Sequence, residues 1–360
     1  MIFYKDKRYM FVEYFNEHNG FLIRSNVIDG GIETDIQPRM RSFPELLDIG
    51  IMGTCQSCEN GICKAAGVDC YQNAVHKARS NMTLTTYRHI VEQCKGKTFQ
   101  IALGGAGDPN KHEDFEAILK VTRDNNIVPN YTTSGFDLSQ EEVELTQKYC
   151  GAVAVSFYSR LNENDEETNP ITIDAIHRFV GAGCVTNIHY VVSRDNIEEA
   201  IYRLEKSLFP RGINAVVFLL YKPVGLGKNE KMIGGLDDKY KKFIGLATQR
   251  KYPFKVGFDT CQTPALKMFG NEIAAESLDF CEAARFSMYI DCEMNAYPCS
   301  FGWEMKKFSV NLKGTTILKA WQSKAFESFR QLQEIQCHSC RQTECHNCAL
   351  GLGINVCGLV

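Results

Sequence analysis

The chain has 360 residues, of which 44% are hydrophobic and 23% charged, and its formal net charge is -3. This composition suffices for one large domain and a smaller one, and it excludes a global basic field that would recruit nucleic acid or an anionic membrane. No apolar run approaches the roughly 18 residues that span a bilayer, and the N-terminus lacks a signal-peptide core. We therefore expect a cytoplasmic protein without nucleic-acid or membrane partners.

The order of predicted elements indicates an α/β protein in three parts. Residues 1–45 are predicted to form a β-rich lead-in, with strands in YMFVEYF and FLIRSNVI. In residues 46–258, apolar strands alternate with amphipathic helices in about six units, which predicts a parallel sheet with helices outside. Six units are too few for a closed eight-fold barrel, so we expect a partial (β/α)6 TIM-like barrel. Residues 259–360 are predicted to form a small cysteine-rich cap.

Most of the sixteen cysteines fall into two groups. Disulfides are rare in the cytoplasm, and clustered cysteines there more often bind metal; a disulfide-rich secreted protein is the alternative. The first group is Cys55, Cys58, Cys63 and Cys70, directly after the first barrel strand. Three of its thiolates could hold a [4Fe–4S] cluster with one iron open, or all four could hold a structural zinc ion. The group alone leaves both interpretations open.

The first group also resembles the radical S-adenosylmethionine enzymes. Their loop after the first strand usually reads C-x3-C-x2-C, with an aromatic residue beside the last cysteine. Here the spacing is stretched to C-x2-C-x4-C-x6-C, and Tyr71 follows Cys70. The resemblance implies Cys55, Cys63 and Cys70 as the ligands, with Cys58 spare or substituting.

A glycine-rich stretch after the second barrel strand strengthens this resemblance. Gly104, Gly105, Ala106, Gly107 and Asp108 stand where the family has GGEP, whose backbone binds the amino group of S-adenosylmethionine. Glycine suits this role because it allows close approach of a ligand and positive φ. Further segments follow in the family's order, and the resemblance implies that they also contact the cofactor: Thr133, Ser156, His189, Asn196 and Tyr221. A strand cap at Ser156 and a core histidine at His189 are the alternatives.

The second group resembles the SPASM or twitch-type extension of the same family, which holds auxiliary [4Fe–4S] clusters. The resemblance implies one cluster on Cys337, Cys340, Cys345 and Cys357. It implies a second on Cys281, Cys299 and Cys348, with Cys261 as a plausible fourth ligand. A zinc ribbon is the alternative for this array. Cys292 has no assigned partner, and Cys94, Cys150 and Cys184 are interpreted as core thiols.

These resemblances imply an oxidoreductase or peptide-modifying enzyme that cleaves S-adenosylmethionine reductively to a 5′-deoxyadenosyl radical. A peptide or protein substrate is expected, with flavodoxin or ferredoxin as the reducing partner. The shortness of the lead-in weakens the expectation of a peptide-maturing activity. Ser300 follows Cys299, where sulfatase-maturing enzymes usually have an acidic residue, and this argues against that activity. The alternatives are a radical enzyme for a sugar or alcohol and a non-catalytic zinc or iron–sulfur protein.

Overall fold

The computed structural model describes residues 1–56, 63, 66–249, 251–271, 273–274, 277–279, 281–334, 348, 350 and 356–357. Cys58, Cys337, Cys340 and Cys345 lie outside these described residues, so their assignment as ligands stays a prediction. Within the described part of the chain, no helix combines the length and the apolar character needed to cross a membrane.

Five short strands form the lead-in: β1 (Ile2–Asp6), β2 (Phe11–Phe15), β3 (Leu22–Arg24), β4 (Ile28–Asp29) and β5 (Ile32–Glu33). The first three make an antiparallel sheet in the order β1-β2-β3. Strand β2 alternates, burying Phe11, Glu13 and Phe15 against the rest of the protein. Strands β2 and β3 lie within the two predicted segments, and β1 is additional to them.

In the described part of the barrel there are seven parallel strands and six α-helices. The strands are β6 (Leu46–Met52), β7 (Gln100–Gly105), β8 (Val128–Thr133), β9 (Val153–Ser156), β10 (Thr186–Val192), β11 (Ala215–Leu220) and β12 (Lys255–Phe258). The helices are α1 (Leu84–Cys94), α2 (Phe115–Asp124), α3 (Gln140–Tyr149), α4 (Pro170–Gly181), α5 (Ile197–Lys206) and α6 (Asp238–Gln249). This arrangement confirms the predicted α/β class with a large, mostly parallel sheet.

Local sequence explains where these helices begin and which face they bury. At the start of α3, the Ser139 hydroxyl accepts from the Glu142 backbone N–H at 3.1 Å, and the Glu142 carboxylate accepts from that of Ser139 at 2.7 Å. This is the capping box that the sequence predicts. Helix α1 buries one stripe, Tyr87, Ile90, Val91 and Cys94, against the sheet.

The cap is built onto the barrel sheet. Its elements are α7 (Thr263–Phe269), β13 (Ser287–Ile290), β14 (Asn295–Tyr297), β15 (Val310–Asn311), α8 (Ile317–Trp321) and α9 (Lys324–Glu334). Strand β13 pairs in parallel with β6, the first barrel strand, so the sheet runs β12-β11-β10-β9-β8-β7-β6-β13-β14-β15. One sheet therefore crosses the boundary predicted at residue 258.

A buried ion network holds the lead-in against the barrel. Arg41 and Glu13 are both fully buried, with Arg41 Nε 2.7 Å from Glu13 Oε2. The Arg41 guanidinium also lies 3.7 Å from the centre of the Tyr4 ring. Arg24 pairs with Glu45 at 2.5 Å and with Glu282 of the cap at 3.2 Å. The Arg41 guanidinium lies 4.7 Å from the centre of the Phe99 ring, so the lead-in is fixed to the barrel as well as to the cap.

Replacing Arg41 by Met is expected to lower the free energy of unfolding by about 3 kcal/mol, because burial already raises the pKa of Glu13 to about 9 and the Arg41 charge that opposes this shift is then lost. Urea denaturation of the two proteins measures the difference. Arg39, which is exposed, supplies the control: Arg39→Met is expected to change stability by less than about 0.5 kcal/mol. Equal losses in both variants would contradict the role given to Arg41.

Candidate functional site

Three cysteines of the first group come together at the carboxyl end of β6. Cys55 lies three residues beyond that strand, and Cys63 and Cys70 follow in the loop. Burial, together with the neighbouring charges of Cys55, Cys70 and Asp108, raises the pKa of the Cys63 thiol to about 12. The thiols that the resemblance implies as ligands are therefore neighbours in space.

The glycine stretch packs directly on the start of this loop. Gly105 has a φ of +123°, and a Cβ there would lie 2.4 Å from the Met52 carbonyl oxygen. A Cβ on Gly107 would lie 2.3 Å from the Thr54 carbonyl oxygen and 3.0 Å from Cys55 Cα. Only glycine lets the end of β7 approach the cysteine loop this closely.

Asp108 closes the glycine stretch and is held in place by the end of β8. Its Oδ1 accepts a hydrogen bond from the Ser134 backbone N–H at 2.8 Å, and its Oδ2 accepts one from the Ser134 hydroxyl. Burial raises the pKa of Asp108, and Ser134, Lys111 and Thr133 oppose that shift. Thr133, by contrast, accepts from the Gly135 backbone N–H at 3.0 Å and supports the same turn.

Ser156 and His189 lie side by side further round the barrel. They are register partners on the parallel strands β9 and β10. Burial lowers the pKa of His189 to about 4, opposed by the Asp259 carboxylate, so the imidazole is neutral at pH 7. Val191, two residues along the same face of β10, is 38% exposed, so the barrel is open to solvent above His189.

The segment after β11 packs over the cysteine loop. The Tyr221 hydroxyl donates to Asp69 Oδ2 at 2.8 Å and accepts from the Lys228 backbone N–H at 2.7 Å. Gly225 has a φ of +66°, and a Cβ there would lie 2.4 Å from the carbonyl oxygen of Tyr71. These contacts place the segment against the last predicted barrel ligand, Cys70.

The side chain of Asn196 makes hydrogen bonds to the backbone of neighbouring residues. Its Oδ1 accepts from the Ser193 backbone N–H at 2.8 Å, and its Nδ2 donates to the Val191 carbonyl oxygen at 2.6 Å. The side chain therefore orders the turn between β10 and α5.

Four cap cysteines also converge: Cys261, Cys281, Cys299 and Cys348. Burial raises the pKa of the first three thiols. Neighbouring thiols add to the effect, since Cys281 and Cys299 act on Cys261, and Cys348 acts on both Cys281 and Cys299. The structure thus brings together the set that the resemblance implies for one auxiliary cluster. Cys357, implied for the other, is buried.

An aromatic contact joins the barrel loop to the cap. The Tyr71 ring lies 5.2 Å from the Phe301 ring, and Trp303 Nε1 donates to the Tyr71 carbonyl oxygen at 3.0 Å. Tyr71 follows Cys70, and Phe301 lies two residues after Cys299. The segments that follow Cys70 and Cys299 are therefore in direct contact.

Comparison with known proteins agrees with this arrangement. A model of the SPASM family, an iron–sulfur cluster-binding domain, matches residues 281–349. The solved structure of Streptococcus suis SuiB bound to S-adenosylmethionine has a TM-score of 0.63 to this chain at 17% identity, covering 85% of this chain and 72% of that one. The chain has the radical S-adenosylmethionine fold with a SPASM domain.

Two further structures have this radical S-adenosylmethionine fold. SuiB bound to precursor peptide SuiA has a TM-score of 0.62 at 18% identity, covering 89% of this chain and 71% of that one. The protein anSMEcpe with bound AdoMet and Cp18Cys peptide has a TM-score of 0.59 at 15% identity, covering 83% and 86%. No curated protein sequence matches the chain.

These findings confirm the predicted family resemblance, the fold class and the iron–sulfur domain. They also support the predicted enzyme type and its cofactors. The donor sets fit such clusters, because three thiols are neighbours at the barrel mouth and four in the cap, and thiolates are the usual ligands of [4Fe–4S] clusters. Among the residues that the structure describes, no three metal-binding side chains are grouped closely enough to hold a single ion.

The remaining cysteines lie away from both sets. Cys94 is fully buried, as expected of a core thiol, and its thiol donates to the Ile90 carbonyl oxygen. Cys150 and Cys184 are only partly buried and line a cleft of about 460 Å³ near the starts of β9 and β10, opposite the radical S-adenosylmethionine site. Cys292 lies beside Arg79.

Asp48, in the middle of β6, is a site residue that sequence reasoning missed. Gly104 of the adjacent strand lies beside it, since a Cβ on Gly104 would be 3.8 Å from Asp48 Oδ1. Burial raises the pKa of Asp48 to about 7, opposed by a hydrogen bond with Ser300 of the SPASM domain. An acidic residue inside the apolar run LLDIGIM was the available signal.

The raised pKa of Asp48 predicts a pH-dependent stability. Between pH 4 and 7 the folded protein holds a proton that the unfolded chain, with an aspartate pKa of 3.8, has released, so stability falls as the pH rises through this window. Asn at this position stays neutral. The free energy of unfolding of Asp48→Asn, relative to that of the parent, is therefore expected to rise by about 3 kcal/mol between pH 4 and pH 7. Urea denaturation of the metal-free proteins measures this gain. The exposed Asp35→Asn control should show none, and a pH-independent gain in Asp48→Asn would contradict the assignment.

Proposed function

We propose that this chain is a radical enzyme that cleaves S-adenosylmethionine reductively and abstracts a hydrogen atom from a peptide or protein. The observation that carries the proposal is the convergence of Cys55, Cys63 and Cys70 beside the glycine stretch at the mouth of the barrel. A [4Fe–4S] cluster with an open iron, when bound there with S-adenosylmethionine, supplies one-electron cleavage to methionine and a 5′-deoxyadenosyl radical.

The chain's own residues would bind and orient the cofactor. The glycines from Gly104 to Gly107 let its amino group approach the backbone, while Asp108 fixes the turn through Ser134. Tyr221 and Gly225 hold the covering segment on the cysteine loop, which limits the entry of water. With a pKa of about 7, the Asp48 carboxyl group can hold or release a proton near this site at neutral pH.

A peptide or protein is the substrate class that we favour. The solved structures of SuiB with precursor peptide SuiA and of anSMEcpe with the Cp18Cys peptide support it. The solvent opening above His189, marked by exposed Val191, supports access for an extended substrate. Auxiliary clusters in the cap would carry electrons to or from the substrate, and a flavodoxin or ferredoxin would reduce the barrel cluster.

Anaerobic reconstitution tests the proposed chemistry. The full chain, loaded with iron and sulfide and reduced with dithionite, should convert S-adenosylmethionine to 5′-deoxyadenosine and methionine. Iron and acid-labile sulfide should be present in amounts for at least two clusters. Zinc without iron or sulfide would overturn the proposal and favour a zinc-binding scaffold.

Deuterium transfer distinguishes a peptide substrate from a small molecule. The reconstituted protein is incubated separately with fully deuterated peptides and with a deuterated small-molecule extract from the same cells. Mass spectrometry of the 5′-deoxyadenosine should show one added deuterium only with the peptide fraction. Transfer from the small-molecule fraction alone would place the substrate among sugars or alcohols.

A further inference from the structure

A buried ion pair lies where the barrel meets the cap. Lys222, just after β11, is 6% exposed, and its Nζ lies 2.5 Å from Asp259 Oδ2 and 3.0 Å from the Leu220 carbonyl oxygen. Asp259 Oδ1 also accepts from Gln262 Nε2 at 3.0 Å. These bonds fix the positions of both charges.

The pair is next to two of the converging cap thiols. Asp259 lies two residues before Cys261. The Lys222 Nζ lies 4.5 Å from the centre of the Phe301 ring, two residues after Cys299. Lys222 and Asp259 both lie close enough to act electrostatically on Cys261, and Lys222 also acts on Cys299. The two charges of the ion pair therefore act on these thiols in opposite directions, from a place with little water to screen them.

We propose that Lys222 raises the reduction potential of the iron–sulfur cluster held by Cys261, Cys281, Cys299 and Cys348. Reduction adds one electron, and so one negative charge, to a cluster; a fixed cation nearby stabilises that reduced form. Asp259, the partner of Lys222, has the opposite effect. The inference rests on the proposed function in requiring a cluster in the cap.

The reduction potential of the cap is measured in the full-length, reconstituted chain. A Cys63→Ala background removes the barrel cluster, so the electron paramagnetic resonance signal comes from the cap. In this background Lys222→Gln is expected to lower the ratio of reduced to oxidised cluster about tenfold at a fixed potential, which is 59 mV for one electron. If two cap clusters are present, one of the two transitions should move.

Three matched variants separate the effect of charge from that of structure. Asp259→Asn breaks the same ion pair but should shift the potential in the opposite direction, to more positive values. Lys222→Arg keeps the positive charge, so its reduction potential should stay near that of the parent. The double variant Lys222→Gln/Asp259→Asn buries no unpaired charge. Its reduction potential should therefore shift less than that of either single variant.

Either of two results would overturn this inference while leaving the proposed function intact. One is an unchanged reduction potential in Lys222→Gln, and the other is shifts of the same sign in Lys222→Gln and Asp259→Asn. If Lys222→Gln does not fold, the double variant is the test. A change of tenfold or more in its ratio of reduced to oxidised cluster would contradict the inference, because the two charges removed should have opposite effects. A cap without iron, seen by metal analysis before any titration, would overturn the proposed function as well.

Discussion

Cys63→Ala is expected to abolish the reductive cleavage of S-adenosylmethionine. Cys63 lies between Cys55 and Cys70 in the chain, and its thiol is affected by the charges of both. Two thiolates cannot hold a site-differentiated cluster that needs three, so the barrel cluster should be lost with the activity. The measurements are 5′-deoxyadenosine formation by the reconstituted protein and its iron content.

The buried thiol of Cys94 provides the matched control, since Cys94→Ala removes a cysteine far from both groups and should leave cleavage intact. Cys340→Ala should lose iron from the cap but keep the barrel cluster. Full activity in Cys63→Ala would show that Cys58, outside the described residues, is the third ligand instead.

Gly107→Ala is expected to reduce the cleavage of S-adenosylmethionine at least about a hundredfold. The added methyl group would lie 2.3 Å from the Thr54 carbonyl oxygen, and that backbone cannot retreat without moving Cys55. A displacement of about 1 Å between reacting groups costs a rate factor of this size. Both 5′-deoxyadenosine formation and the affinity for S-adenosylmethionine should fall.

Gly181→Ala serves as the control for this variant, because a Cβ at the end of α4 meets nothing within 4 Å. Its cleavage rate and stability should equal or slightly exceed those of the parent. A Gly107→Ala protein with the parent's rate would show that the glycine stretch does not limit the position of the cofactor.

The barrel could be predicted from sequence because its elements carry strong local patterns. Continuous apolar strands such as AVVFLL, capped helices such as the one begun by Ser139, and the order of the glycine and cysteine motifs each indicate their place in a parallel fold. The cap was harder, because its pairing partners are distant. Nothing in SMYI shows that it pairs with LLDI some 240 residues earlier.

The candidate site also divides into features that the sequence indicates and features that depend on distant partners. The cysteine sets were implied by the family resemblance, and the structure makes Cys261, Cys281, Cys299 and Cys348 neighbours, while their role as ligands stays a prediction. Contacts between remote segments could not be read from spacing, which is why Asp48 with Ser300 and Lys222 with Asp259 went unnoticed. For Asn196 the sequence did not show that its side chain orders the turn after β10, and its contact with the cofactor stays a prediction.

The pairing of β13 with β6 makes the cap an inseparable part of the barrel for anyone who dissects or recombines this chain. A fragment ending at residue 258 would keep every barrel strand but expose the backbone of Leu46–Ile49 as a bare sheet edge. Such edges pair with other molecules, so the fragment would aggregate rather than report on the barrel alone. Exchange of caps between relatives would need to carry β13, β14 and β15 together with the strand that receives them.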